Sequence, residues 1–341
     1  MTPDDGWLVF APGKLVVIGE YAVLHAERAM VTAVDVGIEC HCSPRPEGWW
    51  LSAPDLDVDA PLAQAADAPG AGLLAAAATA GAATFPETPP HHLTVRGRGN
   101  GAERKTGLGC SAASTVAILG CFAAANGHDL ADPRTRADLF DLALRTHRAH
   151  QNGRGSGIDV AASVYGGWLA YTLTNARPRI ERADVPDDLR LATAWTGFTV
   201  DTPAGLTDFG RTPHSPELLG QMRATLERFW TAGRTGSGRQ LLDAVAAYGR
   251  ILDYVSWELG GGLLGKRTRE LVQAATECGV AAKGSGAVGG DCVIALDTHP
   301  ARLDAARSAW HQLGATVLDL NPEPHGVRPL TPATPPTPAN T

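Results

Sequence analysis

Three glycine-rich segments punctuate this sequence, and the first of them runs directly into a helical pattern. It reads Gly107-Leu-Gly-Cys-Ser-Ala-Ala113, and an amphipathic helix is predicted from Ser111 to Ala125. A serine cap opens this helix, and Asn126-Gly127 is a typical stop. Backbone N–H groups at such a helix start, together with the helix dipole, suit phosphate oxygens. The fold must therefore place this loop directly before the helix, and the start of the helix is expected to favour an anionic ligand.

Strand and helix patterns on both sides of this junction predict an α+β fold. Four β-rich segments lie within the first 42 residues, which excludes an all-α chain. Residues 43–70 are rich in Pro, Asp and Ala and predict an irregular surface excursion. Beyond them the patterns predict helices over 72–84, 132–151, 215–232, 238–259, 266–278 and 300–313, and strands over 92–96, 168–173, 191–195, 292–296 and 316–320.

Composition also predicts how the chain is divided. A shift near residues 175–188 indicates a domain boundary. Residues 331–341 carry no charge and four prolines, which predicts a disordered tail.

The charge balance narrows the classes of partner. The sequence has 29 Lys+Arg against 36 Asp+Glu, a formal net charge of −7, and no basic block. This argues against a nucleic-acid binder or a partner of anionic membranes. The longest Ala/Leu-rich stretch, residues 71–85, is too short to span a bilayer, and residues 1–10 carry no basic leader pattern. We therefore expect a cytoplasmic protein whose six cysteines, which lack zinc-site spacing, are reduced thiols.

Two familiar nucleotide-binding patterns are imitated but not met. Gly284-x-Gly286-x-x-Gly289 matches the dinucleotide-binding fingerprint by letter, yet it leads into an apolar strand instead of a helix. Gly260-x-x-x-x-Gly265-Lys266 imitates a P-loop, but Arg267 stands where a magnesium-binding Ser or Thr is required. The His-Arg-Asp signature of protein kinases does not occur in the sequence. A Rossmann oxidoreductase, a P-loop NTPase and a protein kinase are therefore disfavoured.

Three motifs that follow one another in order identify a family resemblance. They lie at residues 11–24, which begin Ala-Pro-Gly-Lys, at residues 107–113, and at residues 283–292, which read Lys-Gly-Ser-Gly-Ala-Val-Gly-Gly-Asp-Cys. In order and spacing they resemble the three motifs of the GHMP small-molecule kinases. The resemblance implies a domain of the ribosomal protein S5 domain 2 type over 1–180 and a ferredoxin-like domain over 181–330. ATP and substrate are then expected in the cleft between the two domains.

Within this superfamily the details are most similar to the phosphomevalonate kinases. The similarity rests on Lys105-Thr-Gly-Leu-Gly109, on Gln151-Asn-Gly-Arg-Gly-Ser-Gly-Ile-Asp159 after a basic helix, and on Ala194-Trp-Thr-Gly197. It implies ATP- and Mg²⁺-dependent phosphorylation of 5-phosphomevalonate in the route to isoprenoid precursors. A mevalonate kinase, another GHMP kinase that acts on a small alcohol, and a catalytically silent sensor of this fold stay open as alternatives. The expected partner is a small phosphorylated substrate, with no nucleic acid, no membrane, and a homodimer left open.

Electrostatics and the resemblance together indicate which residues carry the chemistry. Two phosphate groups repel strongly, since unit charges about 4 Å apart cost roughly 4 kcal/mol at an effective dielectric of about 20. A cluster of cations is therefore required, and we expect Lys14 to bridge the transferring and accepting oxygens. Asp159 occupies the family position of the catalytic aspartate, with a helix N-cap as its alternative role. A phosphate acceptor is largely ionised at pH 7 and needs no base, whereas an alcohol does.

Further site residues are predicted on the glycine-rich loops and beside them. For the nucleotide we expect Lys105, Gly107, Leu108, Gly109, Cys110, Ser111, Ala112 and Ala113, with Ser111 as the magnesium ligand. For the substrate we expect Lys14, Glu20, Tyr21, Arg148, Arg154, Ser156, Ser285, Gly286, Ala287 and Asp291. Cys110 replaces a serine that is usual in the family, and its place at a helix start predicts a lowered thiol pKa. Val288 takes a usual glycine position, so we expect a locally different turn there.

Overall fold

Two β-sheets organise the chain. The computed structural model describes residues 6–99, 106–153, 155–198, 216–258, 265–286 and 291–330. The first sheet contains β1 (Trp7–Ile18), β2 (Ala29–Pro44), β3 (Trp50–Ala53), β4 (Val58–Pro61), β5 (His91–Arg98), β6 (Trp168–Thr174), β7 (Arg177–Arg182) and β12 (Arg328–Pro329). The second sheet contains β8 (Arg190–Trp195), β9 (Ala281–Ser285), β10 (Cys292–Asp297) and β11 (Thr316–Leu318).

Helices cover both sheets. In chain order they are α1 (Leu62–Ala65), α2 (Gly72–Thr84), α3 (Cys110–Ala125), α4 (Pro133–His150), α5 (Ile158–Tyr165), α6 (Pro216–Thr235), α7 (Gly238–Glu258), α8 (Lys266–Glu277) and α9 (Pro300–Gln312). Two short 3-10 turns, Ala22–His25 and Pro54–Leu56, lie between strands of the first sheet. The mixed α and β class predicted from the sequence is confirmed.

Helix α3 is the central helix of the first half. Almost every residue from Ala112 to Ala124 is buried, because α2, α4 and the first sheet surround it. A helix that is apolar on all sides belongs inside a core. Packing along the whole of α3 consequently fixes the position of its first turn. The loop that precedes this turn is held with it.

Strand β1 is continuous through the segment Ala11-Pro-Gly13, where the sequence predicts an interruption. Its pairing with β2 shifts register between Pro12 and Gly13. A register shift of this kind keeps the ladder while it re-aims the next side chains. Lys14 is the second residue after the shift.

The second sheet has the strand order β11-β8-β10-β9 and is antiparallel throughout. Numbered within this half, the order is 4-1-3-2, with helices between the first and second strands and between the third and fourth. This is the ferredoxin-like arrangement that the resemblance implies. Helices α8 and α9 pack on one face around the buried Trp310.

The two halves share a hydrophobic core. Leu15 and Ile18 of β1 pack in one cluster with Phe229 of α6, Tyr248 of α7 and Ile294 of β10. The strand that carries Lys14 therefore packs directly against elements of the second half.

The chain returns to the first sheet near its end. Pro322 forms a bridge with Val34, the N–H of Val327 donates to the Ser163 carbonyl over 2.9 Å, and β12 pairs with β1. The predicted domain boundary at residue 180 stays a prediction. Within the predicted second domain, 181–330, residues 322–329 pack with the first sheet. The predicted tail, 331–341, lies outside the described residues.

Two further expectations bear on the environment of the protein. All six cysteines are free thiols. Among the described helices, none combines the length and the apolar character that a bilayer crossing demands.

Candidate active site

The loop before α3 presents the start of that helix to solvent. Gly109 is the N-cap residue in the left-handed region, with φ 80°, and no side chain caps the first turn. The first N–H groups of a helix lack carbonyl partners within it, and the helix dipole adds a partial positive charge. Ser111 is exposed on this turn, whereas Leu108, Ala112 and Ala113 are buried and present only backbone groups. This turn fits the phosphates of a nucleotide.

Lys14 is bound to the same loop by both its backbone and its side chain. Its N–H donates to the Leu108 carbonyl over 2.7 Å, and its Nζ donates to the Gly107 carbonyl over 2.7 Å. A Cβ on Gly109 would lie 2.9 Å from the Cγ of Lys14, so only glycine leaves room for the lysine. The ammonium group is therefore fixed beside the helix start.

Asp159 is the second residue of α5, one turn before a direct contact with β1. Gly157 holds the N-cap position, and the Asp159 carboxylate accepts the N–H of Val160 over 2.9 Å. Four residues later, on the same side of the helix, the Ser163 hydroxyl donates to the Pro12 carbonyl over 2.7 Å. Asp159 thus lies on the side of α5 that faces the strand of Lys14, and the alternative role as N-cap belongs to Gly157.

Ser111 has a buried histidine as its neighbour. The Ser111 hydroxyl lies 3.2 Å from Nε2 of His147, and the side-chain amide of Gln151 lies 3.4 Å from the same nitrogen. When that nitrogen accepts the hydroxyl proton, the lone pairs of the serine oxygen are left for another partner. His147, which is not among the predicted site residues, therefore supports the predicted metal ligand Ser111.

The residues near the helix start fit a nucleotide-bound magnesium ion. Within the described residues, no group of three His, Cys, Asp or Glu side chains is arranged to hold a metal. Mg²⁺ in phosphoryl-transfer sites usually takes one or two protein ligands and fills its other positions with water and phosphate oxygens. The exposed Ser111 hydroxyl and the partly exposed Asp159 carboxylate suit that pattern.

Arg148 binds backbone carbonyls of the second glycine-rich loop. Its guanidinium donates to the carbonyls of Gly155 over 3.3 Å and Ser156 over 2.9 Å, and to that of Ala176 over 3.4 Å. Tyr171 also donates its hydroxyl to the Ser156 carbonyl. These contacts shape the loop that leads to Asp159, so the expected contact of Arg148 with a substrate phosphate stays a prediction.

Glu20 and Lys283 form a buried ion pair between the two halves of the molecule. Lys283 Nζ donates to Glu20 Oε1, and the exposed fractions of the two side chains are 0% and 3%. Burial lowers the pKa of Lys283, and Glu20 opposes that shift. The Glu20 backbone carbonyl also accepts the hydroxyl of Tyr248 over 2.7 Å. Both the side chain and the backbone carbonyl of Glu20 therefore bind groups of the protein, and the side chain does not face solvent.

Tyr21 follows the ion pair and is itself strained. Its φ is 62°, which is unusual for a bulky residue, and its side chain is buried. Strain of this kind occurs often where a chain turns around a ligand. Its expected contact with the substrate stays a prediction.

The third motif approaches Lys14 from the second sheet. The Ser285 hydroxyl donates to the Val16 carbonyl of β1 over 2.9 Å, and a Cβ at Gly286 would lie 3.5 Å from Lys14 Nζ. Asp291 packs against the phosphate loop, because a Cβ on Gly107 would lie 2.6 Å from its carboxylate oxygen. The structure thus brings residues of the first, second and third motifs together around one ammonium group.

Cys110 differs from its sequence expectation. Burial raises the pKa of this thiol above its ordinary value, although the Lys14 charge acts in the opposite direction. The desolvation of the thiolate outweighs the helix dipole here, so the prediction of a lowered pKa is wrong.

Three predicted site residues, Lys105, Arg154 and Ala287, lie outside the described residues, and so does Val288.

Two residues of the described site are not among the predicted ones. His147 reaches Ser111 from α4, and Lys283 reaches Glu20 from β9. Both contacts join elements that are far apart in the chain. The one sequence signal was the position of Lys283 at the start of the third motif.

Comparisons with known proteins agree with this geometry. The family model described as the GHMP kinases N terminal domain matches residues 71–167, and the model described as GHMP kinases C terminal matches residues 234–316. A phosphomevalonate kinase of Streptomyces sp. (strain CL190) is 30% identical over 93% of this chain and 97% of its own length. A mevalonate kinase of Methanothermobacter thermautotrophicus is 28% identical over 84% of this chain and 88% of its own length.

The fold is shared with solved structures as well. The Streptococcus pneumoniae phosphomevalonate kinase, solved in complex with phosphomevalonate and AMPPNP, superposes with a TM-score of 0.77 at 18% identity. The alignment covers 92% of this chain and 99% of that one. Both family models match in order, and a relative at 30% identity matches along almost its whole length. The chain therefore belongs to the GHMP kinases, which are ATP-dependent phosphotransferases.

Proposed function

We propose that this protein transfers the γ-phosphoryl group of ATP to 5-phosphomevalonate and forms mevalonate 5-diphosphate, with Mg²⁺ as the metal. The observation that carries this proposal is the phosphomevalonate kinase relative, which aligns with 93% of this chain at 30% identity. A second relative with that name, from Saccharolobus solfataricus, aligns with 66% of the chain at 29% identity. The product would serve the synthesis of isoprenoid precursors, and we propose a cytoplasmic location for this step.

Positioning and charge neutralisation supply most of the catalysis in phosphoryl transfer. The start of α3 offers its N–H groups and dipole to the nucleotide phosphates. Lys14, held on the Gly107 carbonyl, is placed to share its ammonium protons with the oxygens that leave and accept the phosphoryl group. Bound magnesium neutralises phosphate charge, and Ser111 with Asp159 would hold it.

The role of Asp159 depends on the acceptor. A phosphate monoester has a second pKa near 6 and is already largely ionised at pH 7, so it needs no general base. In the proposed reaction the Asp159 carboxylate orients Lys14 and the metal instead of removing a proton. With an alcohol as acceptor, the same carboxylate would have to take the hydroxyl proton.

Phosphorylation of mevalonate itself is the second candidate, and specific relatives favour it. The mevalonate kinases of Methanothermobacter thermautotrophicus and Aeropyrum pernix are 28% and 31% identical to this chain, over 84% and 53% of it. Among the described residues, Lys14 is the cation held at the phosphate loop, while Arg148 binds carbonyls. A strongly cationic acceptor pocket therefore depends on Lys105 and Arg154. The sensor hypothesis is disfavoured because the chain retains Lys14, Ser111 and Asp159 together.

One assay distinguishes these candidates. The protein is incubated with ATP and Mg²⁺ and separately with mevalonate, 5-phosphomevalonate, mevalonate diphosphate, homoserine and galactose, and each product is followed by mass. We expect a gain of one phosphoryl group on 5-phosphomevalonate, with a kcat/KM well above that for the other acceptors. A higher kcat/KM for mevalonate would replace the proposal with the second candidate, and no ATP consumption with any acceptor would favour the sensor.

A further inference from the structure

The Glu20–Lys283 pair is expensive to bury and is not explained by stability alone. Both side chains are almost fully inaccessible. Glu20 Oε2 is also buried and has no hydrogen-bond partner among the described residues. Moving two charges out of water costs several kcal/mol per ion, and a buried pair often contributes less to stability than apolar residues of the same size. A pair with one oxygen left unsatisfied therefore suggests a role in the site.

Strand β9 brings this pair close to Lys14. Lys283 and Ser285 alternate on one face of β9, and Ser285 is bonded to Val16, two residues after Lys14 on β1. Gly286 follows, and a Cβ built on it would lie 3.5 Å from Lys14 Nζ. On the other side, α7 packs so closely that a Cβ on Gly249 would lie 3.0 Å from Lys283 Cβ. Lys283 therefore has little room to move, and among the described residues its ammonium group donates to Glu20.

Lysine use in this chain singles out the same positions. Only four of the 29 cationic residues are lysines, namely Lys14, Lys105, Lys266 and Lys283. Three of the four stand in or beside the glycine-rich motifs, while arginine serves almost everywhere else. A compact ammonium group with three donors fits a confined contact where the planar guanidinium does not.

We propose that Lys283 is a positioning residue for Lys14, because it holds the Glu20 carboxylate and so leaves the Lys14 ammonium on the phosphate loop. Without Lys283, the buried carboxylate would lack a cation, and Lys14 is the other cation whose charge reaches this pair. An attraction to Glu20 would draw Lys14 from the Gly107 carbonyl. The proposal rests on the phosphoryl transfer proposed above.

The test compares three variants that keep side-chain size but remove charge. Lys283→Met leaves the Glu20 carboxylate unpaired, Glu20→Gln leaves a lysine that can lose its proton, and the double variant leaves neither charge. We expect kcat to fall about 100-fold in Lys283→Met, since a displacement of about 1 Å can cost that much. In Glu20→Gln the loss should stay below about tenfold, and the double variant should regain at least about tenfold over Lys283→Met. KM for ATP should change less than about threefold in each variant, because the helix start is untouched.

Arg223 and Glu27 provide the matched control. Arg223 Nε donates to Glu27 Oε1 over 2.7 Å. Like the Glu20–Lys283 pair, this contact joins the second half of the chain, here through α6, to the first half, but Arg223 is exposed. We expect Arg223→Met to leave kcat unchanged. All variants are compared well below their unfolding temperatures, so that a loss of stability does not imitate a loss of rate.

A spectroscopic measurement completes the test without an acceptor. With ¹³C-labelled lysine the protein gives signals from four side chains, which single Lys→Arg changes assign. We expect the Lys14 signal to move in Lys283→Met and to return in the double variant. This result is independent of which acceptor the enzyme uses, so it separates a failure of this inference from a failure of the proposed function.

Two results would overturn the inference. One is a Lys283→Met variant that keeps more than a tenth of the wild-type kcat. The other is a double variant as slow as Lys283→Met with an unmoved Lys14 signal. If Lys283→Met does not fold, the double variant is compared with Glu20→Gln, which also lacks the free carboxylate. Equal kcat values then support the inference, and a double variant more than about tenfold slower contradicts it.

Discussion

At the scale of single residues, the formal charges of four described residues near the phosphate loop cancel. Lys14 and Lys283 are cations, and Glu20 and Asp291, which lie against them or against Gly107, are anions. The two anionic reactants of the proposed reaction would therefore find no excess of positive charge in this group. Under that proposal, neutralisation would have to come from the helix start, from magnesium, and from the predicted site residues Lys105 and Arg154.

Lys14 is the residue whose loss should affect the chemical step most. We expect Lys14→Met to lower kcat about 10²–10³-fold, because one donor that stabilises developing charge is worth that much in comparable sites. Steady-state kinetics with ATP and the preferred acceptor measure the effect. Lys266→Met is the control, since that lysine side chain is 92% exposed and pairs weakly with Glu270. Retention of a tenth or more of the activity in Lys14→Met would rule out the bridging role.

Asp159 should show a loss that depends on the acceptor. We expect Asp159→Asn to slow transfer to mevalonate about 10²–10⁴-fold more than transfer to 5-phosphomevalonate, since only the alcohol needs a base. Single-turnover rates on both acceptors measure this difference. An equal and complete loss on both would contradict the distinction.

At the scale of secondary-structure elements, helix α3 offers a matched pair of glycines. Gly109 and Gly127 stand at its two ends with φ 80° and 78°. A Cβ at Gly109 would meet Lys14, whereas a Cβ at Gly127 would meet nothing within 4 Å. We expect Gly109→Ala and Gly127→Ala each to lower the free energy of unfolding by about 1–2 kcal/mol, from the left-handed backbone. Only Gly109→Ala should also lower kcat, by at least about tenfold.

Denaturant unfolding and steady-state kinetics on the two alanine variants check this prediction. Equal loss of kcat in both would show that helix stability, and not the contact with Lys14, limits the rate. Unchanged kcat in both would show that the loop tolerates a displaced lysine.

The sequence predicts the long elements well and the short strands poorly. Helices α4 and α7 carry their own periodicity, and Asp132 caps α4, so local patterns suffice for them. Helix α3 is found at its predicted place, but it is apolar on all sides and has no side-chain cap, whereas the sequence predicts an amphipathic helix with a serine cap. Strands β3 and β4 lie in a segment predicted as irregular, and β9, with the sequence Ala-Ala-Lys-Gly-Ser, has little β propensity of its own. Such strands are formed by pairing with neighbours, which a local pattern does not contain.

The residues of the candidate site also fall into two groups, those that the sequence indicates and those that only the folded structure reveals. Lys14, Ser111 and Asp159 belong to motifs with fixed spacing, and the sequence therefore points to them. His147 and Lys283 act through partners 36 and 263 residues away, so their roles appear only when the chain is folded.

At the scale of the whole molecule, buried thiols and tyrosines should make the protein sensitive to alkali. Burial raises the pKa of Cys292 to about 12 and raises the pKa of Cys42, Cys121 and Tyr248 as well. These groups stay protonated in the folded chain but ionise in the unfolded chain above pH 9–10. The stability they provide is complete below those values and is lost as pH rises. Lys283, with a lowered pKa, acts in the opposite direction.

Urea unfolding measured from pH 7 to pH 10.5 tests this balance. We expect the free energy of unfolding to fall above about pH 9, with at most about 1.4 kcal/mol per pH unit from each group. Cys292→Ala should lessen the slope. A flat profile across this range would contradict the prediction.

The pairing of β12 with β1 has a consequence for how the enzyme is made. In the described part of the chain, the strand that presents Lys14 gains its outer neighbour from residues 328 and 329, and the Glu323 backbone also bonds to Ala33 and Gly167. When the first 182 residues of a nascent chain have left the ribosome, one edge of β1, the strand that contacts the phosphate loop, is therefore still exposed. Completion of the first sheet must wait for residues 323–329, so a chain that ends before residue 323 leaves β1 without its outer neighbour.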